Sequence, residues 1–515
     1  MSWAVPDILL RNAIVITLDP AMPRASWIAI DHGKIVDVGV GEPSIDAGGF
    51  TKIIDCRGGT LIPGFNDAHC HVLATVASLL SVDCSPASVS SIEDIQQKLR
   101  ERSRYAHMDT WIRGTGYNEF YLKEKRHLTR WDLDQAVTDH PVRLLHRSGH
   151  AMVLNSMALE LASIDGGTQD PPSGVIERQQ GTGEPNGLLL EMNDYLDGVI
   201  PPLSQAEMDI GVGQFNEKCL ALGITSLQDA TPGNNMERWK FFDRLKKRDL
   251  LIPSVTFMAG VSYLPQFLEE GFTFGYGAKG LRLGAVKIMV TMTAGSLSPS
   301  RDELHRLVKE THLCGFQVAI HAVEAEAVEE AAEAIHFAIG DNVFNELRHR
   351  IEHCSECPTH IIEKLVHNGI IVATQPGFLY HNGERYLADV PSDRLPWLYP
   401  IGSMMANGIP VAAASDAPVI PMNPLVGIYA AVTRRAESGD TVLPGESVSV
   451  EDALRMYTLG SAYASFEEHV IGSIANGKRA DLVLLDRDPM AVGVEGIKEI
   501  NVLMTMVMGK VVFEK

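Results

Sequence analysis

The stretch PGFNDAHCHV, residues 63–72, places His69 and His71 one residue apart, directly after a proline-glycine turn and a short apolar run. Side chains at i and i+2 of a strand point to the same side, so the two imidazoles share a face, a geometry suited to a metal ion. Four more residues of metal-ligating or charge-carrying type close short apolar runs further along: Lys287 ends GAVK, His321 ends VAIH, His353 ends HRIEH and Asp416 ends VAAASD. One histidine after a strand is more often a cap or a core residue than a ligand. Six residues in a repeated strand-end position weigh more, because a (β/α)8 barrel builds its active site at the C-terminal ends of its strands.

The elements needed to position them are visible in the middle of the chain. Short β-branched runs (GITSLQDA, RLGAVKIMVT, GFQVAIHA, LRHRIEHC, NGIIVATQP, GIPVAAASDAP) alternate with helical stretches such as SRDELHRLVKETHLCG and PTHIIEKLVHNG. Glycine just ahead of an apolar run fits a helix C-terminal turn feeding the next strand, and repeated βα units give a parallel sheet. Residues 100–215 carry scattered prolines and glycines and read as an elaboration beside the barrel mouth. The two ends differ from the middle: ILLRNAIVITLD, SWIAIDHGKIVDVG and TKIIDCRGGTLIPG at the start, and IGSIANGKRADLVLLDRDP and VLMTMVMGKVVFEK at the finish, have the texture of antiparallel strands. The expectation is one small β domain from residues 1–62 and 466–515, with the barrel over 63–465 inserted between them.

At 515 residues, with 45% hydrophobic and 21% charged residues, the chain has material for a large barrel and a small second domain. A formal net charge of −21 and the lack of a lysine or arginine cluster exclude a phosphate backbone as partner. No run of about 18 apolar residues and no leader pattern at the N-terminus stand out, so a cytoplasmic protein without a membrane partner is expected. Seven cysteines are too few and too scattered for a disulfide framework, and Cys354 and Cys357, lacking a second pair, read as ordinary thiols.

The order His-x-His, Lys, His, His, Asp on successive βα units resembles the amidohydrolase superfamily. It is similar above all to the family-3 branch that includes the N-substituted formamide deformylases. LIPGFNDAHCHV, PVRLLHRSGHAMVLNSMAL, GITSLQDA, QVAIHA, RHRIEHC, SDAPVIPMNPLVGIYAAVTR and GSIANGKRADLVLLDRDP carry that resemblance along nearly the whole chain. It implies a distorted TIM barrel with a small β-sandwich built from both termini, holding one or two divalent metals, usually zinc, for hydrolysis of a C–N bond. Carried over residue by residue, it assigns His69, His71 and Asp416 to a first metal and His321 and His353 to a second. Lys287 bridges the two only as a carbamate, since a free ammonium has no lone pair to offer. Asp416 is also the candidate to move a proton from the water to the leaving nitrogen.

Two departures leave the metal count open. The branch usually continues after the His321 position with glycine-aspartate, whereas this chain reads HAVEAEAVEEA and puts Glu324 three residues on. That resembles nucleobase and imidazolone-type members, in which one metal serves and the glutamate moves protons; a first-turn acidic residue favoured by the helix dipole is the plainer reading. The loop MVTMTAGSLSPSR after Lys287 also lacks the expected aspartate-glycine stretch. His150, in RSGHAMVLNS, and Gln375, in VATQPGF, are candidate donors to a substrate carbonyl. The expected activity is that of an amidohydrolase acting on a small amide or formamide. The alternatives are a mononuclear deaminase or cyclic-amide hydrolase using Glu324, or, in another class, a catalytically silent regulatory barrel, against which the intact set of six residues argues. Substrate identity and oligomeric state, a homo-oligomer included, are left open.

Overall fold

Eight apolar runs become parallel strands: β1 (Phe65–Cys70), β2 (Ile224–Asp229), β3 (Ser254–Gly260), β4 (Leu281–Met289), β5 (Val318–Ala322), β6 (Arg350–His353), β7 (Ile371–Thr374) and β8 (Val411–Ala413). They are seen in a computed structural model that describes residues 5–43, 51–108, 110–171, 174–196, 198–292, 296–340 and 346–515. Each strand is hydrogen-bonded to the next in parallel register, in the order β8-β7-β6-β5-β4-β3-β2-β1. Covered on both faces, such strands read as continuous apolar runs rather than alternating ones. Gly315 and Gly369, with φ of 77° and 58°, make the left-handed turns that send helices Arg301–Leu313 and Thr359–His367 toward β5 and β7.

The sheet bends almost into a closed barrel. At the open seam the strand ends meet through main-chain bonds: Asp416 N–H donates to His69 O at 2.8 Å and His71 N–H donates to Ala417 O at 2.8 Å. Ser415 reinforces the seam, its N–H donating to Asp67 Oδ1 at 3.0 Å and its hydroxyl to Asp67 Oδ2 at 2.5 Å. The residues that close the barrel therefore neighbour those singled out for metal chemistry. This is the distorted TIM barrel expected from the sequence.

Both termini build the accompanying sandwich. One sheet has the order Lys34–Gly39, Trp27–Asp31, Ile8–Arg11, Lys52–Asp55; the other runs Lys510–Glu514, Val502–Val507, Leu482–Leu485, Thr60–Pro63, Ile14–Ile16, Arg24–Ala25. Leu482–Leu485 pairs antiparallel with Thr60–Pro63, Leu484 opposite Leu61. Leu10, Val15, Ile28 and Leu61 from the start of the chain share one buried cluster with Leu482, Leu484, Met504 and Met506 from its end.

The chain divides into two compact units, and the division falls elsewhere than at 62/63 and 465/466. Barrel and terminal sheets form one unit, Met1–His71 with Asn216–Lys515, and Val72–Phe215 forms the other. The second unit has its own sheet, in the order Val175–Arg178, Pro185–Leu190, Ala151–Leu154, Val142–His146, Ile112–Tyr117, Val82–Asp83. Among the described residues no helix is long and apolar enough to cross a membrane.

Candidate metal centre

His69 is the last residue but one of β1, and His71 lies just beyond the strand. Asp416 follows β8 by three residues and is brought back over the barrel by a left-handed backbone, φ 57°. Its Oδ1 lies 3.0 Å from His71 Nε2 and 3.5 Å from His69 Nε2. One donor atom from each of the three can be chosen so that all lie within 4.8 Å of one another, as ligands of a single ion must. The other nitrogen of His71, Nδ1, is 3.1 Å from Thr231 Oγ1, which fixes the ring plane.

His353 ends β6 with φ 68° and Cys354 follows at φ 50°; left-handed geometry at a non-glycine strand end is strain of the kind held at functional sites. Its ring centroid is 4.8 Å from that of His69 and 4.4 Å from that of His321, which lies one residue before the end of β5. His353 Nδ1 is 3.0 Å from Gln375 Oε1, just past β7. An amide oxygen only accepts, so Nδ1 carries the proton and Nε2 keeps its lone pair. That Nε2 is buried with no hydrogen-bond partner, and the buried Asp416 Oδ1 has the ring nitrogens of His71 and His69 beside it. Lys287 does not end its strand, since β4 continues to Met289; its Nζ reaches to 3.4 Å from His69 Nε2.

Burial dominates the electrostatics. It drives the His69 pKa down to about 3, with the Lys287 charge adding to the effect, and it lowers that of His353 against the pull of Asp416. Both rings are therefore neutral, as ligands must be. Burial also brings Lys287 down to about 8, against the opposing pull of Glu352 and Asp416. For Asp416 burial acts upward but the facing His71, His69 and His353 rings outweigh it, so the carboxylate stays ionised. Asp67 is raised to about 6 by burial, partly countered by its bonds from Ser415 and His69.

The donor set passes the test of fit for a divalent ion. Neutral imidazoles and one carboxylate converge, and the lone pair of His353 Nε2 is buried and unsatisfied, an arrangement that costs stability unless a cation completes it. A second grouping, Asp7, Asp31 and His32, sits on the surface of the sandwich and lacks that burial.

The remaining candidates are placed differently. Glu324 immediately precedes helix Ala325–Ile339, half-buried, and forms no ion pair among the described residues. His150 belongs to the Val72–Phe215 unit, where its half-exposed ring pairs with Glu191 at 2.9 Å. Residues 293–295 of the loop after Lys287 lie outside the described residues. Cys354 and Cys357 are free buried thiols. The sequence reading missed Glu352, whose Oε2 makes a short contact with His69 Nδ1, and Arg350, which donates to both Glu352 oxygens. In RHRIEHC the sequence shows only that Arg350 and Glu352 alternate about Ile351 and so share one face of a strand.

Residues 52–513 match the model of a family described as the amidohydrolase family. The chain is 28% identical to the N-substituted formamide deformylase of Arthrobacter pascens over 99% of its own length and 98% of that protein. It is 26% identical to Protein LONG AFTER FAR-RED 3 of Arabidopsis thaliana, over 93% of this chain and 87% of the relative. Among solved structures, an uncharacterized metal-dependent hydrolase from Pyrococcus horikoshii OT3 shares the fold with a TM-score of 0.76 at 24% identity, covering 95% of this chain and 99% of the other.

Proposed function

The chain belongs to the amidohydrolase family, and from that premise we propose that it is a divalent-metal hydrolase cleaving the C–N bond of a small amide or N-substituted formamide with water. The observation that carries this reading is the convergence of His69, His71 and Asp416 on one point, with the neighbouring His353 Nε2 buried and unpartnered. The imidazole and carboxylate donors suit zinc. Bound there, the ion supplies Lewis acidity, which polarises an acyl oxygen and makes water nucleophilic near neutral pH.

The chain's own residues do the rest. His69, His71 and Asp416 hold the ion. One Asp416 oxygen serves as ligand, leaving Oδ2 to accept a proton from the attacking water and deliver it to the departing nitrogen. Gln375 keeps the His353 ring oriented through Oε1, so that Nε2 faces the cluster. His321 and His353 would hold a second ion when Lys287 is carbamylated: the neutral amine bonds through Nζ to the carbon of carbon dioxide, one C=O π bond opens, and the released proton goes to solvent, leaving a carbamate with one negative charge shared by two oxygens. Burial of Lys287, which favours the neutral amine, supports that step. Substrate choice among amides rests on the relative named N-substituted formamide deformylase.

The test is a panel of N-formyl, N-acyl and cyclic amides offered to protein stripped by a chelator and then refilled with zinc. Release of formate and amine from an N-formyl substrate, lost on stripping and regained on refilling, is the expected result. Hydrolysis that survives complete metal removal, or none at all from zinc-loaded protein across the panel, overturns the proposal.

A further inference from the structure

Beneath the cluster, a chain of buried polar groups crosses the barrel interior from β6 to β1 and β2. Glu352 is 0% exposed, Arg350 1% and His69 1%. Arg350 donates through Nε to Glu352 Oε1 at 2.5 Å and through Nη2 to Glu352 Oε2 at 3.1 Å, a two-pronged clasp. The same Nη2 donates to Ala68 O at 2.8 Å, and Nη1 donates to Gln228 Oε1 at 2.6 Å. Gln228 is in turn held by its own Nε2, which donates to Ser461 O at 2.8 Å. Glu352 presents Oε2 to His69 Nδ1 from this fixed support.

A buried charged pair is expensive to assemble and is seldom the most stabilising filling for a barrel. Its geometry here serves one end. An ionised carboxylate has only lone pairs to offer, so the proton between it and His69 belongs to the ring Nδ1, and the lone pair is left on Nε2. That is the atom 3.5 Å from Asp416 Oδ1. Arg350 ties Glu352 to the main chain of residue 68, immediately before His69, so carboxylate and ring are referenced to the same segment of β1. The left-handed turn at His353 lets two consecutive residues of β6, Glu352 and His353, both reach the His69 ring.

We infer that Glu352 is a positioning residue for the metal centre: clasped by Arg350, it fixes the tautomer and orientation of His69 and so sets how tightly the centre holds a divalent cation. The inference rests on the metal-hydrolase reading above. Carboxylates that orient ligating histidines in this way typically account for 10- to 100-fold in metal affinity or activity.

Zinc affinity of the full-length protein, measured by competition with a chromophoric chelator in wild type, Glu352→Gln and Glu352→Asp, tests it. Glu352→Gln should weaken zinc binding about 10- to 100-fold. Glu352→Asp, which keeps the charge facing Arg350, should recover part of that loss. Cobalt-loaded Glu352→Gln should show a shifted visible spectrum, which a distant structural role would leave unmoved. Wild-type zinc affinity in both variants overturns the inference and leaves the hydrolase reading standing; a wild-type protein that binds no zinc removes that reading instead. Should neither variant fold, nitrogen-15 NMR of metal-free, histidine-labelled wild type decides, with the His69 signal identified by its loss in His69→Gln. A proton on Nδ1 supports the inference, and a proton on Nε2 contradicts it.

Discussion

His69 and His71 share a face but not an environment, and the difference shapes what their removal does. The His69 side chain is 1% exposed and answers the Glu352 carboxylate, whereas that of His71 is 22% exposed. Both alanine variants should lose metal and activity together. His69→Ala should also lose about 1–3 kcal/mol of stability, the cost of a buried acceptor left without its donor, while His71→Ala should unfold at nearly the wild-type denaturant concentration. Metal analysis, turnover and denaturant titration of the two variants read this out, and full activity with bound metal in either one contradicts the ligand assignment. The metal count turns on two other residues. Lys287 Nζ, 3.4 Å from His69 Nε2, is already within the cluster, so Lys287→Ala should lower metal stoichiometry, and added short-chain carboxylate should restore part of it. Glu324→Gln should then cost little. A drop in turnover of about 10²- to 10⁴-fold in Glu324→Gln, with metal content unchanged, identifies the one-metal mechanism instead.

Strand ends set the site, and strand starts set the strands. Gly64 joins the sandwich strand Thr60–Pro63 to β1, and a Cβ there would lie 2.2 Å from Thr225 Oγ1 and 2.5 Å from its Cγ2. Thr225 belongs to β2, so Gly64→Ala should force the first two barrel strands apart at a cost of about 1–3 kcal/mol. Chemical denaturation measures it, and an unchanged midpoint contradicts the close packing assigned to that turn. The barrel strands were legible in sequence wherever an apolar run ended in a ligand-type residue or began after glycine, as at His321 and Gly369. Ser254–Gly260 escaped because it ends in Met258, Ala259 and Gly260, with no polar residue to mark it. The six-stranded sheet of Val72–Phe215 escaped for another reason. Its strands are two to six residues long, and Pro185–Leu190 pairs with Ala151–Leu154 across more than thirty residues, a partnership that local periodicity does not encode. Within the site, single residues betrayed themselves by type, but the Arg350–Glu352 clasp did not, because charged residues in a strand ordinarily signal the solvent face.

At the scale of the molecule, strands from the chain's two ends meet in one sheet, Leu482–Leu485 beside Thr60–Pro63. Deleting residues 476–515 removes Leu482–Leu485, Val502–Val507 and Lys510–Glu514, leaves the edge of Thr60–Pro63 unpaired, and strips Leu484, Met504 and Met506 from the core shared with Leu10 and Leu61. Unpaired strand edges recruit other chains, so the truncated protein should aggregate, as size-exclusion chromatography with light scattering would show; a soluble, active truncation contradicts a sandwich built from both termini. In all 515 residues, the metal ion's place is the point where His69, His71 and Asp416 converge. Crystals of zinc-loaded protein, with diffraction recorded on both sides of the zinc absorption edge, locate every bound zinc without reference to sequence or family. A dominant anomalous peak is expected about 2.0–2.2 Å from His69 Nε2, His71 Nε2 and an Asp416 carboxylate oxygen. A map without density at that point, or with its only strong peak at the surface group Asp7, Asp31 and His32, would contradict it.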